Sequence, residues 1–199
     1  HGCVQDGEPR RFRVTAICPA YDDPVTRTAV LSPCGAYRYS LSRVWNPEAP
    51  WMALIMLNPS TADAEVDDPT ITRCMRRARG LGRNLEVANL FALRSTDPRR
   101  LERVADPIGP ENDAALCLAI HRADTIVAAW GARGGLHGRD VHVGGLVGAR
   151  KLWCLGTTRD GHPRHPLYVA HAQVLVPFEL RAVTMVRAIT DATREAETR

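Results

Sequence analysis

The stretch "WMALIMLNPSTADAEVDDPTITRC", residues Trp51–Cys74, contains the change of pattern that decides the fold. Its first part is continuously apolar, which is typical of a strand covered on both faces. The apolar run ends at "NPST", whose residues are common in turns, and "DPTITRC" then opens a segment with helical spacing. The stretch predicts a buried strand, a loop and a helix. It leaves open whether Asn58 only ends the strand or belongs to a functional site.

Strands and helices alternate along the rest of the chain. The segments "LEVANLFAL", "TIVAAWG" and "KLWCLGTT" have the pattern of three further buried strands, with helical patterns around them. We therefore predict a single three-layer α/β domain over residues 28–199, with a central, mostly parallel four-stranded sheet. Helices are predicted in "PTITRCMRRARGLG", "DPRRLERVA", "GPENDAALCLAIHRA", "GRDVHVGGLVGA" and "PFELRAVTMVRAITDATREAE".

The N-terminal part of the chain has a different pattern. Residues 1–27 are polar and rich in arginine, and we predict an extended or poorly ordered lead-in. Two short strands then flank "SPCG", a good turn signal, and predict a β-hairpin at the edge of the sheet. In the second strand, simple alternation places Tyr39 and Leu41 on one face and Arg38 on the other.

Composition limits the possible functions. The chain has 199 residues, 45% of them hydrophobic, and it contains no apolar run of 18 residues, so we expect a soluble, cytoplasmic protein without a membrane partner. Its six cysteines form no C-x-x-C pair, which argues against a compact zinc or iron–sulfur site, and disulfides are not expected in a chain that looks cytoplasmic. The net charge is +4, and nearly all of the positive charge comes from arginine. Two explanations of this arginine excess stay open, which are codon bias and phosphate binding.

Polar side chains follow all four predicted core strands. In open α/β sheets, ligands bind outside the carboxyl ends of the strands, so these side chains are expected to meet at one edge. They belong to Asn58, Ser60 and Asp63 after the first strand, Asn89 and Arg94 at the second, Arg133 after the third, and Arg159, His162, Arg164, His165 and Tyr168 after the fourth.

Several kinds of chemistry have no motif in this sequence. It contains neither a G-x-S-x-G elbow nor a phosphate loop, and "GARGG" lacks the dinucleotide fingerprint. The remaining groups are amides and imidazoles. An Asn carbonyl oxygen can hold a water, an Asn amide can pair with a base edge, and a His can donate to charge on a leaving group.

Each of these residues also has a structural interpretation. Asn58 suits a turn after a strand, and Asn89 could be a buried amide satisfied by the backbone. His162 and His165 could be ordinary loop residues. Asp63 is the carboxylate best placed to act as a general base.

The motifs resemble those of a family. The set "RYSLSRVW", "MLNPSTADAEVDDPTITRC", "VANLFALRSTDP", "AWG" and "GTTRDGHPRHPLY" is similar to the bacterial and phage family known as domain of unknown function 1643. The resemblance runs from about Ala36 to Phe178 and implies a bacterial or phage-encoded protein. It implies no activity.

A more distant resemblance, to the uracil-DNA glycosylase superfamily, does imply an activity. Those enzymes have a central parallel sheet, a first motif after the first core strand, and a His-Pro loop after the last. Here "LNPS" matches the first motif, Asn89 falls where some branches read the base, and "HPLY" matches the loop. The stacking aromatic is replaced by the region of Thr70 and Ile71, with Phe91 or Trp130 as another source of a ring. The identity of the base therefore stays open.

The resemblance implies a DNA glycosylase-like hydrolase that flips a damaged or modified base and cleaves its N-glycosidic bond in DNA repair, as a monomer without cofactor or metal. The implied catalytic residues are Asn58, Asp63 and His165. The substrate would contact Ser60, Asn89, Phe91 and His162. DNA would contact Arg94, Arg133, Arg159, Arg164, Leu167 and Tyr168. The alternatives are a non-catalytic module that recognises a modified base or DNA end, and a hydrolase of a small nucleoside or nucleotide.

Overall fold

The computed structural model describes residues 13–17 and 25–180. Within these residues, eight strands form one mixed sheet in the order β1-β2-β3-β5-β4-β6-β7-β8. The strands are β1 (Arg13–Ile17), β2 (Thr26–Leu31), β3 (Arg38–Val44), β4 (Trp51–Met56), β5 (Asn84–Asn89), β6 (Thr125–Ala128), β7 (Leu152–Cys154) and β8 (Val176–Pro177). The α-helices are α1 (Pro69–Gly80), α2 (Asn112–Arg122) and α3 (Arg139–Val147).

The predicted mixed α/β architecture is confirmed, but the sheet is larger than the expected four strands. Strands β5, β4, β6 and β7 pair in parallel, as the alternation of strands and helices indicated. The predicted hairpin, β2 and β3, is not a separate edge element, because β3 pairs antiparallel with β5. Leu41 of β3 lies opposite Val87 of β5, and both are completely buried. Burial of this apolar face joins the hairpin to the core.

The helices cover opposite faces of the sheet. Ile71, Cys74 and Ala78 of α1 pack on one face with Leu54 and Val87. Helices α2 and α3 contribute to the core on the other face. The chain therefore leaves β4 and β6 toward opposite faces of the sheet, and a crevice at such a switch point is the usual ligand position in open α/β sheets.

Helix α1 begins as the sequence predicted. Asp68 caps it by accepting a hydrogen bond from the Ile71 N–H at 2.8 Å, and Pro69 occupies the first turn. Two arginine side chains of α1 form hydrogen bonds with backbone carbonyls far along the chain. Arg73 donates to the Val169 carbonyl at 2.6 Å, and Arg77 donates to the Ala170 carbonyl at 3.1 Å. These hydrogen bonds fasten α1 to the segment that follows β7.

The remaining predicted elements have mixed outcomes. Asp97 caps a short 3₁₀ helix, Pro98–Glu102, as expected. Strand β1 lies within the predicted lead-in, and the rest of residues 1–24 is outside the described residues. The predicted C-terminal helix began at Pro177, but that residue belongs to β8. The part of that helix in residues 181–199 lies outside the described residues.

A β-bulge in β3 overturns the predicted alternation of side chains. Val30 of β2 lies opposite Ser40, whereas Leu31 lies opposite Arg38, so Tyr39 is the extra residue of the bulge. The bulge turns Arg38 toward the loop after β4, where its Nη1 donates to the Ala62 carbonyl at 2.6 Å. Arg38 therefore lies on the same side of the sheet as Leu41.

Candidate functional site

The loops that follow the four parallel strands meet at one edge of the sheet. The Phe91 N–H donates to the Leu57 carbonyl at 3.0 Å, which joins the loops after β5 and β4. The Gly131 N–H donates to the Pro163 carbonyl at 2.9 Å, which joins the loops after β6 and β7. We call this edge the candidate site; its loops span residues 57–68, 90–97, 129–138 and 155–168.

Asn58 is held in one orientation at the end of β4. Its Nδ2 donates to the Ser95 carbonyl at 2.8 Å and to the Pro59 carbonyl at 3.0 Å. Both amide hydrogens are used, and no described residue donates to Oδ1. The side chain is therefore fixed with an acceptor oxygen left over, which is the group that can hold a water. The loop itself is anchored because the Ser95 N–H donates to the Pro59 carbonyl at 2.9 Å.

Asp63 lies five residues further along and closes its own turn. Its Oδ1 accepts from the Glu65 N–H at 2.8 Å and from the Val66 N–H at 2.9 Å. Within the described residues, Oδ2 accepts no hydrogen bond, so one carboxylate oxygen remains for a proton. Ser60 is half-buried in the same loop, and no described side chain or backbone group bonds its hydroxyl.

Asn89 lies at the carboxyl end of β5, as predicted, and is only 1% exposed. Its Oδ1 accepts from Nη2 of Arg38 at 3.4 Å, and its Nδ2 is buried without a hydrogen-bond partner. The backbone does not satisfy this amide, in contrast to the structural interpretation considered for it. Nδ2 of Asn112 in α2 donates to the backbone carbonyl of Asn89 and not to its side chain.

Arg38 is the principal member of the site that the sequence did not indicate. It is 2% exposed, and burial lowers its pKa to about 10, with the Asp68 carboxylate opposing that shift. No carboxylate in the part of the chain that the structure describes forms an ion pair with it, and its Nε has no hydrogen-bond partner. The sequence shows an arginine between two tyrosines, and this was the available signal. Its inward direction could not be predicted without the bulge at Tyr39.

His165 lies just before a short 3₁₀ helix, Pro166–Tyr168, that packs against α1. Its Nδ1 accepts from the Leu167 N–H at 3.3 Å, so in the neutral ring the proton is on Nε2. Burial lowers the pKa of His165, and the Asp68 carboxylate partly opposes this. Burial therefore favours the neutral imidazole, in which Nε2–H is a hydrogen-bond donor.

His162 is half-buried in the same loop, and its backbone groups bond Thr158. Its side chain contributes to the field at Asp140, a residue of α3 that is only 3% exposed. Burial raises the pKa of Asp140, while the Val141 N–H donates to its Oδ1 at 2.8 Å. Asp140 was not among the residues predicted for the site. The sequence indicated it only as an acidic residue early in a helix that follows a glycine-rich loop.

The two candidate stacking rings lie in the core. Phe91 is completely buried, with the His137 ring edge-on to it at 6.3 Å between centroids. Trp130 is also buried and packs edge-on against Phe178 at 6.0 Å. A Cβ on Gly134 would lie 2.0 Å from the Trp130 ring, so only glycine fits beside it. Both rings act as packing residues in this structure.

The residues predicted to contact DNA divide into two groups. Arg159, Arg164, Leu167 and Tyr168 are exposed around His165, although Nε of Arg164 donates to the Thr157 carbonyl at 2.9 Å. Tyr168 is 81% exposed, and its ring lies 5.8 Å from the His165 ring. Arg94 and Arg133 are engaged elsewhere: Nη1 of Arg94 donates to the Gly35 carbonyl at 3.3 Å, and Arg133 pairs with Glu102.

The described residues contain neither a candidate metal-binding cluster nor a candidate membrane-spanning helix. No group of three or more His, Cys, Asp or Glu side chains within residues 13–17 and 25–180 could hold a metal ion. None of the helices in those ranges is both long and apolar enough to span a membrane.

Comparison with known proteins places the chain in a family. No curated protein and no solved structure matches it. The model of one family, described as protein of unknown function (DUF1643), matches residues 38–167, from β3 to the loop that carries His165. The match covers more than half of the chain and includes Arg38, Asn58, Asn89 and His165. The chain therefore belongs to the DUF1643 family.

Proposed function

We propose that this protein is a DNA glycosylase that hydrolyses the N-glycosidic bond of a damaged or modified base. The observation that carries the proposal is the hydrogen bond from the Leu167 N–H to Nδ1 of His165, which leaves Nε2–H as the donor of the neutral ring. A neutral imidazole with Nε2–H as donor, beside exposed groups that suit DNA, is suited to stabilise negative charge on a departing base. The resemblance of the motifs "LNPS" and "HPLY" to those of uracil-DNA glycosylases also supports the proposal.

In the proposed reaction, a water held by Oδ1 of Asn58 attacks the sugar C1′. The C1′–N bond breaks, and its electron pair leaves with the base, whose charge is stabilised by Nε2–H of His165. The proton lost by the water passes to the unbonded oxygen of Asp63. Asn58 suits this role because two carbonyl groups hold its amide nitrogen, which fixes the direction of Oδ1.

DNA contact is assigned to the surface around His165. Arg159 and Arg164 are exposed there and can bind phosphates, and Leu167 and Tyr168 are exposed beside them. An exposed apolar pair next to the catalytic imidazole suits insertion into the base stack when the target base flips out. Opening the stack costs a few kcal/mol, which this insertion would partly offset.

A binding module without catalysis is the second candidate, and the position of Asp63 favours it. Oδ1 of this carboxylate accepts hydrogen bonds from backbone N–H groups of its own turn. These bonds restrict the movement of the Asp63 side chain, which makes it less suited to act as a general base. The burial of Phe91 in the core also removes one expected stacking ring from the site. A protein that only binds a modified base needs neither a general base at Asp63 nor a stacking ring at Phe91.

The test is release of base from duplexes that carry uracil, hypoxanthine, hydroxymethylated or glucosylated bases. We expect abasic sites from at least one duplex, and a loss of roughly 10²–10³ in rate for His165→Ala, since that is the usual cost of removing a donor to developing charge. Asn58→Ala is expected to slow the reaction as well. His121→Ala is the matched control, because His121 is exposed on α2.

The two candidates separate clearly in this assay. No abasic product from any duplex, together with salt-sensitive binding, would contradict hydrolysis and favour the binding module. Unchanged turnover in both Asn58→Ala and His165→Ala would contradict the assignment of the site. Release from free nucleosides but not from DNA would instead indicate a nucleoside hydrolase.

A further inference from the structure

Two buried nitrogen atoms beneath the loop of Asn58 lack hydrogen-bond partners. They are Nε of Arg38 and Nδ2 of Asn89, which belong to side chains only 2% and 1% exposed. Leaving a buried donor unsatisfied is unfavourable, and more so for a charged group. Native proteins therefore rarely retain two such atoms in touching side chains without a functional reason.

The contact between these side chains fixes what each of them offers. Nη2 of Arg38 donates to Oδ1 of Asn89, which determines the orientation of the amide. A flipped amide would place N–H groups against each other. Arg38 has only donors, and the oxygen of Asn89 is already engaged, so the pair presents N–H groups.

The charge of Arg38 indicates the same kind of ligand. The group is still protonated near neutral pH, because burial lowers its pKa only to about 10. Asp68 contributes the largest favourable field, but no described carboxylate forms an ion pair with Arg38. A buried cation with a spare N–H favours an electron-rich acceptor.

We propose that Arg38 and Asn89 form a recognition site for a base edge that presents two neighbouring hydrogen-bond acceptors and no donor. The guanine edge with O6 and N7 has this pattern and is the usual partner of arginine. Uracil differs, because an N–H lies between its two carbonyl groups, and the major-groove edges of adenine and cytosine each carry an amino donor, which that edge of guanine lacks. The inference deepens the proposed function, on which it rests, by naming the class of base.

The loop after β4 covers this recognition site. Nη1 of Arg38 donates to the Ala62 carbonyl at 2.6 Å, so the same guanidinium holds the loop closed. A base that reaches the unsatisfied nitrogens displaces the Ala62 carbonyl from Arg38, so the loop moves outward at Ala62 while the hydrogen bonds to the Ser95 and Pro59 carbonyls keep Asn58 in place.

The experiment compares two duplexes that differ at one atom. Each carries one unpaired purine, either guanine or 7-deazaguanine, in which a C–H replaces the N7 acceptor. We expect the wild-type protein to bind the guanine duplex about 5- to 150-fold more tightly, measured by fluorescence anisotropy, since a good bidentate contact gives this discrimination. Arg38→Met and Asn89→Asp are expected to lose the preference. The exposed Arg99→Ala is the control that retains it.

The outcomes distinguish the recognition site from the reaction. Equal affinity of the wild-type protein for the two duplexes overturns the inference, even if another base is released. A preference that persists in Arg38→Met also overturns it, because another group must then read N7. A guanine preference without base release from any duplex supports the recognition site and contradicts the proposed hydrolysis. Absence of binding to either duplex overturns both.

Discussion

Arg38 and Arg43 lie five residues apart on β3, both almost completely buried, yet they have different surroundings. Nε and Nη2 of Arg43 donate to Oδ1 of Asp67 at 2.9 and 2.6 Å, and its remaining hydrogen bonds reach backbone carbonyls. Among the described residues, no carboxylate forms an ion pair with Arg38, and its Nε has no hydrogen-bond partner. Burial of a guanidinium therefore does not define its role. A fully partnered arginine such as Arg43 stabilises the fold, whereas Arg38 retains capacity for a ligand.

The largest expected effect is that of Arg43→Met on the free energy of unfolding. Removing one partner of a buried ion pair costs about 3–5 kcal/mol, because the other charge stays behind. Within residues 13–17 and 25–180, the one ion pair that Asp67 would retain is that with Arg27. Denaturant unfolding measures the change, with Arg99→Ala as the control, because its exposed pair with Asp97 contributes about 0–1 kcal/mol. A loss below about 1 kcal/mol for Arg43→Met would remove the contrast with Arg38.

Asp68 connects the two halves of the candidate site, because its charge acts on both Arg38 and His165. Asp68→Ala also removes the cap of α1 and is expected to cost about 1 kcal/mol. Asp68→Asn retains a capping oxygen and should cost less. Both variants are expected to lower the pKa of His165 further, since the Asp68 carboxylate raises it. An NMR titration of His165 in which its pKa does not move would contradict this placement.

The pKa of His165 also determines a dependence of stability on pH. The folded protein has a lower pKa at His165 than the ordinary value of 6.5. The unfolded chain therefore binds the proton more readily, and this contribution to stability is present above pH 6.5 and is lost as the pH falls below it. Asp68→Asn should deepen that acid-side loss.

The smallest expected effect on stability is that of Arg38→Met. Its lost hydrogen bonds are offset by the release of a desolvated charge, so we expect a change within about 1 kcal/mol. Denaturant unfolding beside Arg43→Met makes the comparison direct. A loss as large as that of Arg43→Met would show that Arg38 supports the fold, and it would weaken the case for a recognition site.

The parallel core was predictable because local patterns record it. The apolar run of β4, the cap at Asp68 and the spacing of α1 each depend on neighbouring residues, and the structure has all three. The size of the sheet was not predictable. The hairpin pattern of β2 and β3 is the same whether β3 lies at an edge or pairs with β5, because long-range strand pairing leaves no local signal.

The sequence by itself determined which strands end in polar loops and that Asn58, Asn89 and His165 follow three of them. The tertiary structure decided how each side chain is used. A single extra residue, Tyr39, reverses the direction of Arg38, and burial together with the Leu167 N–H selects the tautomer of His165. Spacing along the chain gives the position of a group, but its charge and its free hydrogen-bonding atoms depend on neighbours distant in sequence.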